Sequence, residues 1–300
     1  MRNLRAVGVG LLFSGQGSQP AAMGDPWRGT EAWSVVDTIA GFSGHDVADL
    51  LLAADDETLR RTDRAQISTF ALEMVMLRHS GAADAVACAG HSLGEYSALV
   101  AAGALDLEAA ARLVAARGAA MLATAQDQPG TMVAVLGAPD DDLADAIAKV
   151  QAGGARVWIA NYNAPGQTVL AGDADGIAAA TTACGALPRT KVRSLPVGGA
   201  FHSPLMEPAA ETLRTALAET TFTDGARPVV ANVDATPHNN GADWPGLLGR
   251  QLTAPVRWTE SVRTLVDLGC TRFVEIGPGD TIASMVKRIA RDVPITPVAR

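Results

Sequence analysis

The sequence predicts an α/β fold made of a large domain and a smaller one inserted into it, and three observations lead there. The first is Gly90-His91-Ser92-Leu93-Gly94, a G-x-S-x-G pattern between an apolar run of strand length (residues 85–89) and a helix-forming run (residues 95–102). The second is a change of period after residue 130. Segments 131–137, 156–161, 167–171 and 190–197 read as strands, with helical segments 141–150 and 174–184 between them. That β-α-β-β-α-β order is ferredoxin-like. The third is a return, from residue 199, to alternating helix and strand signals. The boundaries read as 1–127 with 199–300 for the larger domain and 128–198 for the smaller. With 300 residues the chain is long enough for two unequal units.

Composition narrows the function classes. Apolar residues make up 48% of the chain and charged residues 19%, an ordinary globular balance. A formal net charge of -8 argues against wholesale nucleic-acid binding. The three cysteines are widely spaced and odd in number, so they form neither a disulfide framework nor a metal ligand set. Cys88 falls inside an apolar strand and reads as a buried thiol. No stretch reaches membrane-spanning length without a charge or turn signal. The apolar run 7–13 leads directly into a glycine-rich turn and lacks a cleavage region, so it reads as a strand and not a signal peptide. These readings place the chain in a reduced, cytoplasmic compartment.

In chain order, strand 7–13 ends at Ser14-Gly15-Gln16-Gly17-Ser18-Gln19. Two glycines suggest a phosphate loop, but the third glycine of a dinucleotide fingerprint is missing. The loop either offers backbone N–H groups to an oxyanion or is a plain turn. Residues 66–77 read as a core helix whose methionines pack. Ser92 then stands on a strained strand-to-helix turn at a helix N-terminus, where free N–H groups favour negative charge. A solvent-facing serine in a tight turn is the bland alternative.

A long alanine-rich helix follows, to about Thr124, carrying Arg112 and Arg117. Five residues correspond to about 140° round a helix, so the two cannot share a face. Arg117 lies with Leu113, Val114 and Met121 on the apolar side. An arginine there needs a partner, either a structural salt bridge or an anionic substrate group. Residues 126–130 read as a linker and 161–166 as a turn. Beyond the small domain, Ser203 is a good N-cap and Pro204 suits the first helical position, so His202 sits just before a helix N-terminus. The dipole there would keep its imidazole neutral, as a general base needs; a plain loop histidine is the alternative. His91 is expected to pack or hydrogen-bond locally, and His45, His79 and His238 have no supporting pattern. Residues 228–233 and 272–276 read as strands, and 244–252 and 281–291 as helices.

Taken together, these motifs resemble the malonyl-CoA:acyl-carrier-protein transacylase family over nearly the whole chain. The marks are Gly15-Gln16-Gly17-Ser18-Gln19, Gly90-His91-Ser92-Leu93-Gly94-Glu95-Tyr96, and Arg117 with Gly118 and Met121. Further on come Asn161-Tyr162-Asn163-Ala164-Pro165-Gly166-Gln167, Phe201-His202-Ser203-Pro204-Leu205-Met206, Gln251 and Gly277-Pro278-Gly279. The resemblance implies an α/β-hydrolase-like large domain with an inserted ferredoxin-like small one. It also implies a Ser92 nucleophile, a His202 base oriented by a backbone carbonyl near Gln251, and an oxyanion hole from the N–H groups of Gln16 and Leu93. Arg117 would clamp the malonyl carboxylate, with Asn161 and Phe201 also in the substrate site. The implied chemistry is ping-pong transfer of malonyl from coenzyme A to the phosphopantetheine thiol of an acyl carrier protein, in fatty-acid or polyketide synthesis, with no metal or bound organic cofactor. A monomer is implied.

One segment departs from a common pattern. Malonyl-selective polyketide acyltransferases often read His-Ala-Phe-His up to the histidine, and methylmalonyl ones Tyr-Ala-Ser-His. Here the segment is Gly199-Ala200-Phe201-His202. Phe201 favours malonyl by filling the space of an α-methyl, whereas Gly199 is expected to leave room. Carrier proteins are typically acidic, so a local basic face is expected on Arg189, Lys191 and Arg193 or on Lys287, Arg288 and Arg291. Other readings remain: a trans-acting polyketide-synthase acyltransferase with another acyl substrate, a serine hydrolase, or a non-catalytic carrier-binding module. No acidic third member stands in hydrolase-like order between Ser92 and His202, which weighs against the hydrolase.

Overall fold

The computed structural model describes residues 8–81 and 84–299. Strand β1 (Gly8–Phe13) is followed by helices α1 (Val35–Ser43), α2 (Val47–Leu52), α3 (Asp56–Arg60) and α4 (Thr62–Ser80). Next come β2 (Ala85–Gly90), α5 (Gly94–Ala102) and α6 (Leu107–Asp127). The insertion holds β3 (Thr131–Leu136), α7 (Asp140–Ala152), β4 (Val157–Ala164), β5 (Gln167–Gly172), α8 (Ala174–Gly185) and β6 (Lys191–Ser194). The chain then forms α9 (Glu207–Ala218), β7 (Val229–Val230), β8 (Pro237–His238), α10 (Trp244–Gln251) and α11 (Trp258–Asp267). It ends with β9 (Cys270–Ile276), α12 (Thr281–Ile289) and β10 (Ile295–Pro297). Val7, expected to open the first strand, lies outside the described residues.

The larger sheet runs β10-β9-β1-β2-β7-β8, parallel except for the short β7–β8 pair. Its central strands are apolar on both sides because helices cover both faces. The two-residue period sorts them: Leu11, Phe13 and Cys88 join one core, while Leu12, Ala87 and Ala89 join another on the opposite face. The smaller sheet is antiparallel, in the order β4-β5-β3-β6, with α7 and α8 on one side. Val133, Val135 and Leu170 meet those helices, and Met132, Val169 and Ala171 join the main core from the other face. The ferredoxin-like order expected from the sequence is therefore present, and the uncovered face of this sheet looks toward the end of β2. Among the described residues no helix is long and apolar enough to cross a membrane.

Several elements differ from expectation. Helix α6 continues to Asp127, leaving only residues 128–130 as the connection. Strand β4 runs through Ala164, so the turn is only Pro165-Gly166, with Gly166 at φ 67°. Register shifts flank Asn161 and Tyr162, and such irregularities re-aim side chains within a strand. Strand β6 stops at Ser194, before Pro196, which has no N–H for a ladder. Strand β7 covers only Val229–Val230, because the chain turns inward at Asn232. Helix α12 ends at Ile289, two residues before Arg291. The short edge strands β8 and β10 carry no period that the sequence reveals.

Glycines set how closely the elements meet around the end of β2. A Cβ on Gly90 would collide with the Gly94 carbonyl and the Glu95 nitrogen. One on Gly94 would lie 2.5 Å from the Ser14 oxygen, and one on Gly118 2.9 Å from Asp63 Cα. The first approach closes the turn between β2 and α5 on itself, the second seats the β1 loop against that turn, and the third presses α6 onto α4. Gly90→Ala is therefore expected to lose about 3 kcal/mol or more of unfolding free energy, the upper range for overpacking. Gly41→Ala is the control: Gly41 is exposed in α1 with nothing near its Cβ position, and it should gain about 0.5–1 kcal/mol. Urea titration of both variants checks the pair; equal effects would show that packing at Gly90 does not matter.

Candidate active site

Ser92 lies between β2 and α5 with φ 54°, a left-handed conformation that costs a serine energy and that the surrounding contacts must hold. Its Oγ is 2.7 Å from His202 Nε2. His202 Nδ1 is 2.8 Å from the Gln251 carbonyl, which only accepts, so Nδ1 carries the proton and Nε2 is free to accept from the serine hydroxyl. His202 is itself at φ 57° and 4% exposed. Burial first, and the Arg117 charge second, push its pKa down to about 3, although the Gln251 carbonyl pulls the other way. The neutral imidazole expected from the sequence is favoured here, with burial as its largest cause. The turn that follows (Pro204–Met206) runs directly into α9, so His202 does precede a helix N-terminus.

Arg117 is fully buried on α6. It donates to Gln66 Oε1 on α4, to Gln251 Oε1 at 2.9 Å and to Ser92 Oγ at 3.1 Å, and its Nε has no partner. Among the described residues no carboxylate stands within ion-pair distance of it. The structural salt bridge left open above is absent there; neutral oxygens hold the guanidinium. Arg112, on the other side of α6, is exposed and lies 4.8 Å above the Phe42 ring. The two arginines do occupy different faces.

Behind these groups lies a buried polar network that the sequence did not reveal. Gln251 Nε2 donates to the Ser92 carbonyl at 2.8 Å and to Glu95 Oε2 at 2.6 Å. Glu95 Oε1 accepts from the Asn232 N–H at 2.7 Å. Burial raises the Glu95 carboxyl to about 7, against the pull of these donors and of Arg117. Beneath the β1 loop, Glu73 accepts from the hydroxyls of Ser14 and Ser97, and burial lifts its pKa to about 8. Gln66 could have been noticed as a polar residue on a core helix. Asn232 had no signal beyond a polar residue closing an apolar run.

The site opens into a cleft of about 300 Å³ between the two sheets, lined by Gln16, Ser92, Met132, Asn161, Phe201 and His202 among others. The Gly15 position lies 2.9 Å from the His91 carbonyl when a Cβ is placed on it, so the 15–17 loop abuts the turn bearing Ser92. Among the described backbone groups, neither the Gln16 N–H nor the Leu93 N–H donates a hydrogen bond. His91 packs edge-on against the Trp258 ring, 5.4 Å between centroids, as one of its two expected roles, and its Nε2 is 2.8 Å from Asn163 Oδ1, across the cleft on β4. Gly199 is also corrected. A Cβ there would meet the Phe201 ring at 2.7 Å and Ala125 at 3.0 Å, so the room expected from the missing side chain is already filled. Of the basic residues, Lys191 and Arg193 are exposed on the edge strand β6, whereas Arg288 is engaged with the Pro165 carbonyl and Gln167.

A serine on a glycine-flanked turn, a neutral buried histidine and an adjoining arginine in a cleft between a parallel and an antiparallel sheet define an acyl-transferring enzyme. The chain matches the family model described as acyl transferase domain over residues 11–299. It is 38% identical over 286 residues to the malonyl CoA-acyl carrier protein transacylase of Escherichia coli strain K12, covering 93% of this chain and 92% of that one. The structure of an acyl carrier protein S-malonyltransferase from Vibrio cholerae superposes with a TM-score of 0.91 at 34% identity, covering 97% and 96% of the two chains. A malonyl-transacylase solved in complex with a type II polyketide-synthase acyl-carrier protein gives 0.89 at 32%, again covering 97% and 96%. The chain belongs to the malonyl-CoA:acyl-carrier-protein transacylase family.

The neutral His202 has a measurable consequence. Unfolded, the imidazole binds a proton below about 6.5; folded, it resists protonation down to about 3. The unfolded state therefore takes up more protons in that window, and His202's contribution to stability is present above pH 6.5 and lost as pH falls toward 3. The rate of Ser92 acylation should pass through pH 6.5 without an inflection, provided melting curves show the protein folded. A rate loss centred on 6.5 that persists in Glu95→Gln, which removes the buried carboxyl raised to about 7, would mean a histidine titrating at its ordinary value.

Proposed function

We propose that this chain moves a malonyl group from malonyl-CoA to the phosphopantetheine thiol of an acyl carrier protein through a Ser92 acyl-enzyme. The observation that carries the proposal is the contact of Ser92 Oγ with both His202 Nε2 and a buried arginine that has no carboxylate partner among the described residues. In this reading Ser92 Oγ attacks the thioester carbonyl while His202 Nε2 takes its proton, and Gln251 holds the imidazole through its carbonyl. The N–H groups of Gln16 and Leu93 receive the oxyanion. His202 returns the proton to the departing coenzyme A sulfur. The carrier thiol then attacks the acyl-enzyme by the same steps in reverse. Arg117 turns from Ser92 Oγ and Gln251 to hold the malonyl carboxylate, and Phe201 and Asn161 line the acyl site.

Residues 1–127 with 199–300 make the catalytic domain in this proposal, and 128–198 the small one. Lys191 and Arg193 are favoured over the last helix as the carrier's landing site, since Arg288 is committed to the β4–β5 turn. A monomer working in the cytoplasm completes the reading. The polyketide alternative stands beside it, since one similar structure comes from that chemistry.

Intact-mass measurement tests the function. The protein should gain one malonyl unit on mixing with malonyl-CoA and lose it on adding carrier protein. Ser92→Ala should gain none while keeping its fold, and His202→Ala should acylate about a hundredfold more slowly or worse, the scale of lost general-base help. Free malonate released without transfer would make the chain a hydrolase. A wild type with no acyl-enzyme would leave only a carrier-binding module.

A further inference from the structure

We propose that Asn232 is a positioning residue for the nucleophile, its side-chain amide clamping the two peptide groups on either side of His91 and so holding Ser92 in its left-handed conformation. Asn232 is fully buried, and it takes no part in lining the cleft. Its Oδ1 accepts from the Ser92 N–H at 2.7 Å, and its Nδ2 donates to the Gly90 carbonyl at 2.7 Å. One amide thus satisfies a donor and an acceptor two residues apart, as a neighbouring strand would.

The reason for this arrangement lies in the sheet. Strand β7 pairs with β2 only at Cys88↔Val229 and Ala89↔Val230, and then ends. Beyond that point the edge of β2 would be left with unpaired backbone groups in a buried place, which is costly. The Asn232 side chain continues the ladder for one more rung, where the chain bends too sharply for a backbone to follow. Ser92 at φ 54° persists only if its surroundings over-determine it.

The Asn232 backbone is held in turn. Its N–H donates to Glu95 Oε1 at 2.7 Å, and its carbonyl accepts from the Arg257 N–H at 3.0 Å. Glu95 grips Gln251 with its other oxygen, and the Gln251 carbonyl holds His202. One carboxylate therefore sets the nucleophile through Asn232 and the base through Gln251. Asparagine suits the place because its amide presents an acceptor and a donor side by side at every pH. An ionised aspartate would keep the bond from Ser92 N–H and set a second oxygen against the Gly90 carbonyl, so Asn232→Asp is compared above the pH at which its carboxyl ionises.

The inference rests on the acyl-enzyme reading, and the experiment separates the two. Single-turnover acylation by malonyl-CoA is measured over a range of concentrations for wild type, Asn232→Ala and Asn232→Asp, with circular dichroism and melting curves alongside. The expected result is a saturating acylation rate lowered about a hundredfold in both variants, the cost of a misplaced reacting atom, at an unchanged half-saturating concentration. A folded variant acylating at the wild-type rate would overturn the proposal. So would a raised half-saturating concentration at unchanged maximal rate, which is the signature of a binding residue. Failure of both variants to fold would make Asn232 a structural residue and overturn it too. A wild type that is never acylated would instead remove the acyl-enzyme reading itself.

Discussion

The buried charge of Arg117 is the constraint around which the site is arranged. A fully buried guanidinium with no carboxylate at ion-pair distance among the described residues is costly, and the protein meets that cost with oxygens from three directions: Gln66, Gln251 and Ser92. Each comes from a different element, so α4, α10 and the turn after β2 must all converge on α6. The close approach of α6 to α4 at Gly118 brings Gln66 within reach. Glu95 supplies a counter-charge one step removed, through the Gln251 amide. That carboxylate does not pair with Arg117 directly, and the guanidinium Nε has no hydrogen-bond partner. Its charge also helps hold His202 neutral.

The same network fixes the two strained residues. Ser92 and His202 are both left-handed, at φ 54° and 57°, and they meet at 2.7 Å. Gln251 touches both: its side-chain nitrogen donates to the Ser92 carbonyl and its backbone carbonyl accepts a hydrogen bond from His202 Nδ1. Geometry for proton transfer is therefore built by bonds behind the site, away from the cleft where a substrate enters. The open face is left to the Gln16 loop, the small sheet and Phe201.

Local signals made much of this legible in the sequence. The strand–G-x-S-x-G–helix context places Ser92 because the turn tolerates only glycine at positions 90 and 94. Helical period alone put Arg117 and Arg112 on opposite sides, as they are. The β-α-β-β-α-β order came from changes of period, and the small sheet has it. What was missed depends on contacts between distant segments. Asn232 matters because β7 ends early beside β2, and nothing near residue 232 shows that. Asn161 read as the end of a strand and Asn163 as a turn residue, yet β4 continues through both, and the 255–257 segment pairs with its edge: the Tyr162 N–H donates to the Val256 carbonyl at 2.9 Å. Gly199 looked like missing bulk, but the Phe201 ring folds back into that space. The neutral His202 was read from the helix end that follows it, and burial, invisible in a linear pattern, is the largest cause of its lowered pKa.

Arg117→Ala, assayed with malonyl-CoA and acetyl-CoA side by side, tests the central claim most directly. If the guanidinium waits for a carboxylate, truncation removes one member of a buried pair in the malonyl complex, at about 3–5 kcal/mol. Malonyl transfer should then fall by roughly two to four decades in kcat/KM. Acetyl transfer, which never completed that pair, should change little or rise. An equal fall for both substrates in a variant shown to be folded would contradict the account and leave Arg117 as a structural tie among Gln66, Gln251 and Ser92.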